Sequence, residues 1–267
     1  MIATFDIGNT NMDVGIFSNE TNDETSNNEI IASFKIKVKK SFSKKELKNT
    51  ISKELNKKDI DKKKINTLLL ASVRPSIVPK IKEMLEECFS NSIKEDFIEV
   101  NINSNLGLVN KYVGNVGIDR VLGCLAAYKL YNKNAIVVDF GTATTISVID
   151  ENGVFYGGVI MSGIYTASEN LLKKTELLPF FTLKTSENVL ADNTLDGLSN
   201  GIFYSNYYAI KGLCQKLAKE LNFDDYIVIG TGGNSDIFKN SDLFTYIDKH
   251  LVLKGLKFFY NEIKTLF

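Results

Sequence analysis

One short pattern occurs twice in this chain and limits its fold more than any other feature. Ile2–Phe5 is an apolar run that ends at Asp6 and continues Ile7-Gly8-Asn9-Thr10. Ala135–Val138 is an apolar run that ends at Asp139 and continues Phe140-Gly141-Thr142-Ala143. Each is followed at once by a second run of strand character, Met12–Phe17 and Thr144–Ile149. A short apolar run stopped by an acid and a glycine is a buried strand entering a tight turn. Finding it twice predicts two halves, each built around a strand–turn–strand unit, and an α/β class.

The segments around the two turns fit that expectation. Ile30–Val38 alternates apolar and polar residues as a half-exposed strand does, and Asn19–Glu29 before it reads as a polar hairpin loop. Ser43–Leu55 and Ile77–Phe89 carry helical spacing, with Ser43 as a cap and Pro75 placed to open a first turn. Thr67–Val73 is a continuous apolar run suited to a buried parallel strand, and Phe97–Val100 is a short strand. A helix is predicted over about Ile118–Tyr131. After the second turn come a strand at Val154–Ile160, helices at Ile164–Lys174 and Leu195–Leu221, a strand at Tyr226–Ile229 and a closing helix at Leu251–Ile263. Two halves of β-β-β-α-β-α-β order would set the two turns face to face across a cleft. With no Pro-rich or Gly/Ser-rich linker, the boundary falls at the helix near Asp119–Tyr131.

Composition excludes several classes. Lys plus Arg and Asp plus Glu balance at 32 each, which gives no footprint for nucleic acid or an anionic membrane. The Lys57–Lys58 and Lys62–Lys64 runs are broken by Asp59 and Asp61 and read as solvated. No apolar run approaches the ~18 residues that span a bilayer, and the first residues are not a signal peptide. Three scattered cysteines without metal spacing suit buried thiols in a reducing, cytoplasmic compartment. The single histidine, His250, argues against His-based catalysis and is expected on a surface near the start of the last helix.

The chemistry lies in the glycine turns. Asp6–Asn11, Asp139–Thr145 and Gly230–Gly233 can each aim backbone N–H groups into one concavity, as phosphate oxygens require. Asp6 and Asp139 add hard oxygen ligands for Mg²⁺ or another cation. The Gly-Lys-Ser/Thr ending of a P-loop is absent. Gly117-Ile118-Asp119-Arg120 opens a helix, where N–H groups favour anions. Two readings of it stand side by side. Asp119, kept ionised by Arg120, accepts a proton from an attacking alcohol while the guanidinium holds a substrate carboxylate. Alternatively, Asp119 caps the helix and Arg120 pairs with a surface acid.

Taken together and in order, these motifs, with Gly157-Gly158-Val159-Ile160, Asn193-Thr194 and Gly230-Thr231-Gly232-Gly233, resemble the type III pantothenate kinases from end to end. Ala71-Ser72-Val73 with Pro75, and Leu177-Leu178-Pro179, fit as well. The resemblance implies the actin and sugar-kinase superfamily: two ribonuclease H-like domains facing across a cleft, divided here as 1–118 and 119–267. It implies ATP-dependent phosphorylation of pantothenate to 4'-phosphopantothenate, with Mg²⁺ and a monovalent cation, K⁺ or NH₄⁺. Asp119 becomes the proton acceptor. Asp6, Ile7, Gly8, Asn9, Thr10, Asn11, Met12 and Asp13 wrap the ATP phosphates, and Thr142 touches ATP from the other half. Tyr112, Gly117, Ile118, Asp119, Arg120 and Thr194 line the pantothenate pocket, and Asp139 ligates the monovalent ion.

A homodimer is also implied, and the apolar stripe of Leu195–Leu221 offers Ile202, Phe203, Tyr207 and Ile210 for its shared face. The pattern departs from the family at three places: the stretch from Tyr112 to Gly117 is shorter and lacks a proline, Ser162-Gly163 replaces Pro-Gly, and Asp13 stands where Lys is common. Phosphatases and other kinases of the superfamily share the Asp-Gly-Thr turns but not the Gly117–Arg120 element. A non-catalytic accessory factor for gene expression would not need Asp6, Asp119 and Asp139 together.

Overall fold

The computed structural model describes residues 1–19, 28–38, 43–90, 93, 96–184 and 188–265. Most of the loop expected over Asn19–Glu29 lies outside the described residues. The chain forms two compact units: residues 1–109, 113–129 and 250–267 in the first, and 110–112 and 130–249 in the second.

In the first unit, β1 (Ile2–Ile7), β2 (Asn11–Phe17) and β3 (Ile30–Lys37) form an antiparallel meander. α1 (Lys44–Lys57) leads to β4 (Thr67–Ser72), and α2 (Val78–Phe89) to β5 (Asp96–Val100). The sheet order is β3-β2-β1-β4-β5, with β4 parallel to both β1 and β5. After β6 (Val109–Asn110) and α3 (Ile118–Tyr131), the second unit repeats the plan. β7 (Ala135–Phe140), β8 (Ala143–Ile149) and β9 (Val154–Ser162) are antiparallel. α4 (Ile164–Lys174) and α5 (Thr194–Glu220) follow, and β10 (Ile227–Thr231) then pairs parallel with β7. β11 (Tyr246–Ile247) lies parallel to β10, and α6 (Leu251–Thr265) closes the chain. The run β9-β8-β7-β10-β11 has the connectivity of β3-β2-β1-β4-β5, so the repeat read from the sequence is a repeat of topology.

Period-2 alternation sorts the side chains of β1. Ala3, Phe5 and Ile7 join Met12, Val14 and Ile16 of β2 in a core with Leu47, Ile51 and Leu55 of α1 and Ile81 and Leu85 of α2. The 4-residue spacing in α1 keeps its apolar side chains on one stripe, and Ser43 caps the helix by accepting from the Glu46 N–H at 3.1 Å. Pro75 opens a short 3₁₀ turn, Pro75–Ile77, just ahead of α2. On the other face of the sheet, Thr67 Oγ1 lies 3.4 Å from the Tyr260 hydroxyl of α6, and a side chain on Gly15 would meet Leu253. Because both faces are covered, β1 reads as an almost unbroken apolar run.

The division of the chain differs from a cut at 118/119. α3 as far as Lys129, and α6, pack with the first unit. α6 buries Leu251, Val252, Leu253, Leu256, Phe258, Phe259 and Tyr260, almost all round its circumference, so it needs cover on more than one side. It lies on the first sheet, and Gly255 lets it approach α3 until an added Cβ would stand 2.1 Å from the Leu122 carbonyl oxygen. His250, expected on an open surface, is half-buried just before α6, with Nε2 3.2 Å from Ser33 Oγ. Cys88, Cys124 and Cys214 are buried and unbridged.

Lys257 is the odd residue of α6: only 2 % exposed, it donates to Asn261 Oδ1, and Asn261 in turn donates to Asn28 Oδ1. Burial, assisted by the charge of Lys264, pulls its pKa down from 10.5 to about 8. A depressed amine binds fewer protons in the folded state than in the unfolded state between about pH 8 and 10.5. Its contribution to stability therefore rises with pH across that window, by up to ~1.4 kcal/mol per pH unit. Buried Cys124 and Cys214, pushed up to about 12, act oppositely above pH 9. The expected outcome is thus a difference between curves. Chemical denaturation from pH 7 to 10.5 should show Lys257→Met more stable than wild type at pH 7, with the gap closing as pH rises. A gap independent of pH would show that Lys257 is protonated and satisfied throughout.

Candidate active site

The first turn is a four-residue loop closed by the Gly8 N–H donating to the Asn11 carbonyl at 2.9 Å. Asn9 and Thr10 are exposed, whereas Ile7 and Met12 are buried in the core. Within 6–13, then, Ile7 and Met12 can offer a ligand only their backbone. Asp6 and Asp13 face each other across β1 and β2, and Lys35 is the partner of Asp13 on β3, so the three form a row across one face of the sheet. Lys35 Nζ lies 3.2 Å from Asp13 Oδ1. Burial raises the Asp13 carboxyl above its usual range, against the opposing charges of Lys35 and, to a smaller extent, His250. This charge pair is specific to a chain with an acid at position 13.

The loop leaving β4 holds the turn from the other side. The Val73 N–H donates to the Ile7 carbonyl at 3.1 Å, and Ser72 Oγ donates to the same oxygen at 3.4 Å. Ser72 Oγ also accepts from the Arg74 N–H at 2.9 Å, and Arg74 Nη1 donates to the Asn9 carbonyl at 3.3 Å. As sequence, Ala71-Ser72-Val73 with Pro75 reads only as a family mark. Its position is legible only once β4 is known to lie parallel to β1.

Asp119 occupies the same unit. It is the second residue of α3, and its Oδ1 accepts the Arg120 N–H at 2.8 Å. Gly117 makes this placement possible: a Cβ there would stand 2.4 Å from Asp119 Oδ1 and 3.5 Å from Val73 Cγ1. Gly117 thus lies between the Asp119 carboxylate and the loop that staples the first turn. Asp119 is partly exposed, yet the desolvation of its surroundings raises its pKa above 3.8, outweighing the backbone bond and the charge of Arg120. Arg120 itself is buried. The two readings of this motif merge in part, since Asp119 does bind a helix-end N–H while keeping a raised, partly open carboxylate.

The second unit assembles the other residues. The Gly141 N–H donates to the Ala143 carbonyl at 3.0 Å, so this turn is one residue tighter than the first. Thr142 is exposed, and its carbonyl accepts from the Gly163 N–H at 3.2 Å and Thr166 Oγ1 at 2.8 Å. A side chain at Gly163 would stand 2.3 Å from that oxygen, so glycine is required where α4 meets the turn. Gly232, at φ 85°, lies where a Cβ would be 2.2 Å from Asp139 Oδ1. The second and third glycine turns are thereby one structure, with the Asn234 N–H donating to the Phe140 carbonyl. Tyr112 packs on Gly157, whose Cβ would fall 2.3 Å from its ring. Thr194 is the exposed first residue of α5, capped by Asn193, which accepts from the Asp196 N–H at 3.0 Å. Phe203 and Ile210, named for a shared face, are buried in the core of their own unit, while Tyr208 of the same helix is exposed.

Among the described residues no three His, Cys, Asp or Glu side chains form a metal cage. Asp6 and Asp139, one at each turn, are instead single hard oxygen donors, which suits an ion that takes most of its ligands from phosphate and water.

Solved structures share this fold. A chain from Campylobacter jejuni assigned to the Baf family of transcriptional activators matches with a TM-score of 0.62 at 20 % identity, covering 98 % of this chain and 99 % of that one. The activator of 2-hydroxyisocaproyl-CoA dehydratase from Clostridium difficile, with bound ADPNP, matches at 0.51 and 12 % identity, over 99 % of this chain and 96 % of that one. The architecture they share with this chain is a mixed α/β fold with two sheets. Within it, residues 2–216 match the family model of type III pantothenate kinase, and the chain belongs to that family. The type III pantothenate kinase of Petrotoga mobilis is 34 % identical over 81 % of this chain and 84 % of its own length.

The glycine at 117 gives a direct test. Gly117→Ala forces Asp119 to move without straining the backbone, because no positive φ is involved. Misplacing a reacting group by about 1 Å costs on the order of 10²-fold in rate. Turnover should fall by roughly that factor with little change in thermal midpoint. An unchanged kcat would show that Asp119 need not stand where the glycine puts it.

Proposed function

We propose that the protein transfers the γ-phosphate of ATP to the hydroxyl of pantothenate, giving 4'-phosphopantothenate and ADP as the first step of coenzyme A biosynthesis. Family membership supplies the substrates. The observation that carries the mechanism is the Asp119 carboxylate, desolvated and set into the space left by Gly117. The hydroxyl oxygen attacks the γ-phosphorus, the bond to the β–γ bridging oxygen breaks, and the hydroxyl proton passes to Asp119. A base with a raised pKa is a better proton acceptor. The backbone of the Gly8–Asn11 loop and the exposed Asn9 and Thr10 side chains donate to phosphate oxygens, with Asp6 at the strand end as the carboxylate for a divalent ion. Such an ion, when bound, offsets the negative charge of the phosphates.

The remaining assignments extend this reading. Tyr112, Gly117, Ile118, Arg120 and Thr194 bind pantothenate, Thr142 contacts ATP, and Asp139 holds a K⁺ or NH₄⁺ ion. Asp139 fits such a role because one of its oxygens lies beside Gly232, in a turn that a flexible oxygen-ligated ion can join. The working unit is a homodimer in the cytoplasm. Its shared face is the outer side of α5, where Tyr208 is exposed beside half-buried Ile202 and Tyr207. Sedimentation at micromolar concentration reads that state, and a species of monomer mass alone would refute it.

One assay tests the chemistry. With ATP, Mg²⁺ and pantothenate, Asp119→Asn should lower kcat by ~10²–10⁴-fold and leave ATP affinity within a few-fold. The acid limb of the wild-type kcat/KM profile should have its midpoint above 3.8, the ordinary aspartate value. In the same assay at constant ionic strength, the rate should rise on adding K⁺, and Asp139→Asn should blunt the rise. Near-normal turnover in the Asp119→Asn variant removes the base assignment; a rate flat from zero K⁺ removes the cation site alone.

A further inference from the structure

The first phosphate turn has a charge problem. Residues 6–13 contain two carboxylates, Asp6 and Asp13, and no lysine or arginine. A triphosphate brought to this loop meets like charge unless a cation stands nearby, and a divalent ion at Asp6 offsets only part of it. The described residues offer three cations next to the turn. Lys35 is engaged by Asp13 at 3.2 Å. Lys37 is the exposed β3 neighbour of Asn11, at the edge strand. Arg74 lies on the opposite side, on the loop leaving β4, and donates into the turn itself through Nη1 to the Asn9 carbonyl at 3.3 Å.

We propose that Arg74 is a nucleotide-contacting residue whose guanidinium pairs with the phosphates bound at the first turn; this rests on the ATP reading above. Several observations place it there. Its backbone is held by the Arg74 N–H donating to Ser72 Oγ at 2.9 Å, and Ser72 and Val73 are both bonded to the Ile7 carbonyl. Pro75 keeps Arg74 out of helical geometry, at φ −124° and ψ 73°, so the residue projects from a fixed loop and not from a helix. The side chain is half-exposed and has no carboxylate partner within salt-bridge distance among the described residues. One guanidinium N–H is used on Asn9, which aims the fork at the turn and leaves further donors for oxygen ligands. Arginine matches phosphate oxygens with two parallel donors, which a lysine cannot do. The preceding residue, Val73, borders Gly117, the glycine that makes room for the Asp119 carboxylate, so the same loop carries the phosphate cation and reaches the glycine beside the base.

The test uses the full chain and equilibrium binding of ATP with Mg²⁺, and of adenosine, by titration calorimetry, in wild type, Arg74→Gln, Arg74→Lys and Lys37→Gln. Gln keeps a donor near the Asn9 carbonyl and removes the charge. A charge-assisted hydrogen bond lost from a phosphate site costs on the order of 10-fold or more in affinity. Arg74→Gln should weaken ATP by at least about 10-fold and leave adenosine unchanged. Arg74→Lys should recover part of the loss, and Lys37→Gln should stay close to wild type. KM for ATP should follow the binding data, with KM for pantothenate unmoved. Equal affinity for ATP in wild type and Arg74→Gln overturns the inference, as does a loss that is as large for adenosine, which would mark a distorted turn. A wild type that binds no ATP removes the nucleotide reading and this inference with it; a wild type that binds ATP with Arg74→Gln unchanged removes this inference alone.

Discussion

The parallel pairing between the strand that ends in an aspartate and a strand far along the chain is the constraint on which the glycine-turn cluster of each unit depends. β4 lies parallel to β1 with Asp6 opposite Ala71, and β10 lies parallel to β7 with Asp139 opposite Thr231. Parallel strands finish at the same end of the sheet. The loops that leave β4 and β10 therefore arrive beside the glycine turns that leave β1 and β7. In the first unit the arriving loop is Ser72–Arg74, tied to the Ile7 and Asn9 carbonyls. In the second it is the glycine turn after β10, with Gly232 against Asp139 and Asn234 bonded to Phe140. Ligand sites at the carboxyl ends of such strands are the common outcome of open α/β sheets.

Close approach is the second theme, and it explains which glycines matter. Gly8 and Gly141, the glycines of the repeated motif, adopt ordinary backbone angles, and a Cβ on either would meet its nearest neighbour at 3.3 or 3.4 Å. The tighter demands fall elsewhere. Gly117 clears Asp119, Gly232 clears Asp139, Gly163 clears the Thr142 carbonyl and Gly157 clears the Tyr112 ring. Two of these four place a carboxylate oxygen where a side chain would otherwise be. A carboxylate set in this way is poorly hydrated, and for Asp119 the consequence is a pKa above the ordinary range despite an adjacent arginine.

Charge is arranged more economically than the motif suggests. Asp13 is not a free acid among phosphates but half of a pair with Lys35, in a row that ends at Asp6. Such a pair fixes orientation more than it adds stability, since both side chains are over a third exposed. Arg120, expected to hold a substrate carboxylate, is buried, so any contact with substrate is made from within the wall of α3. These placements separate residues with a side chain to offer a ligand from those, such as Ile7 and Met12, that only build the frame.

Much of this was legible in the chain itself. The two Asp-x-Gly turns, the strands before and after them, the helices, the membership of Gly117–Arg120 in a helix start and the family resemblance follow from apolar period, turn chemistry and motif order, because these are local properties. Strand pairing and helix docking are not local. That Arg74 reaches Asn9, 65 positions away, depends on β4 lying against β1. That Gly232 belongs to the Asp139 turn depends on β10 lying against β7. α6 could be recognised as a helix buried nearly all round, yet its periodicity says nothing of which sheet it covers, and it returns to the first unit across a separation that no window of sequence spans. The sequence determined the elements and the chemical groups they carry; only the tertiary structure decided which groups meet, because backbone pairing and close packing join residues far apart in the chain.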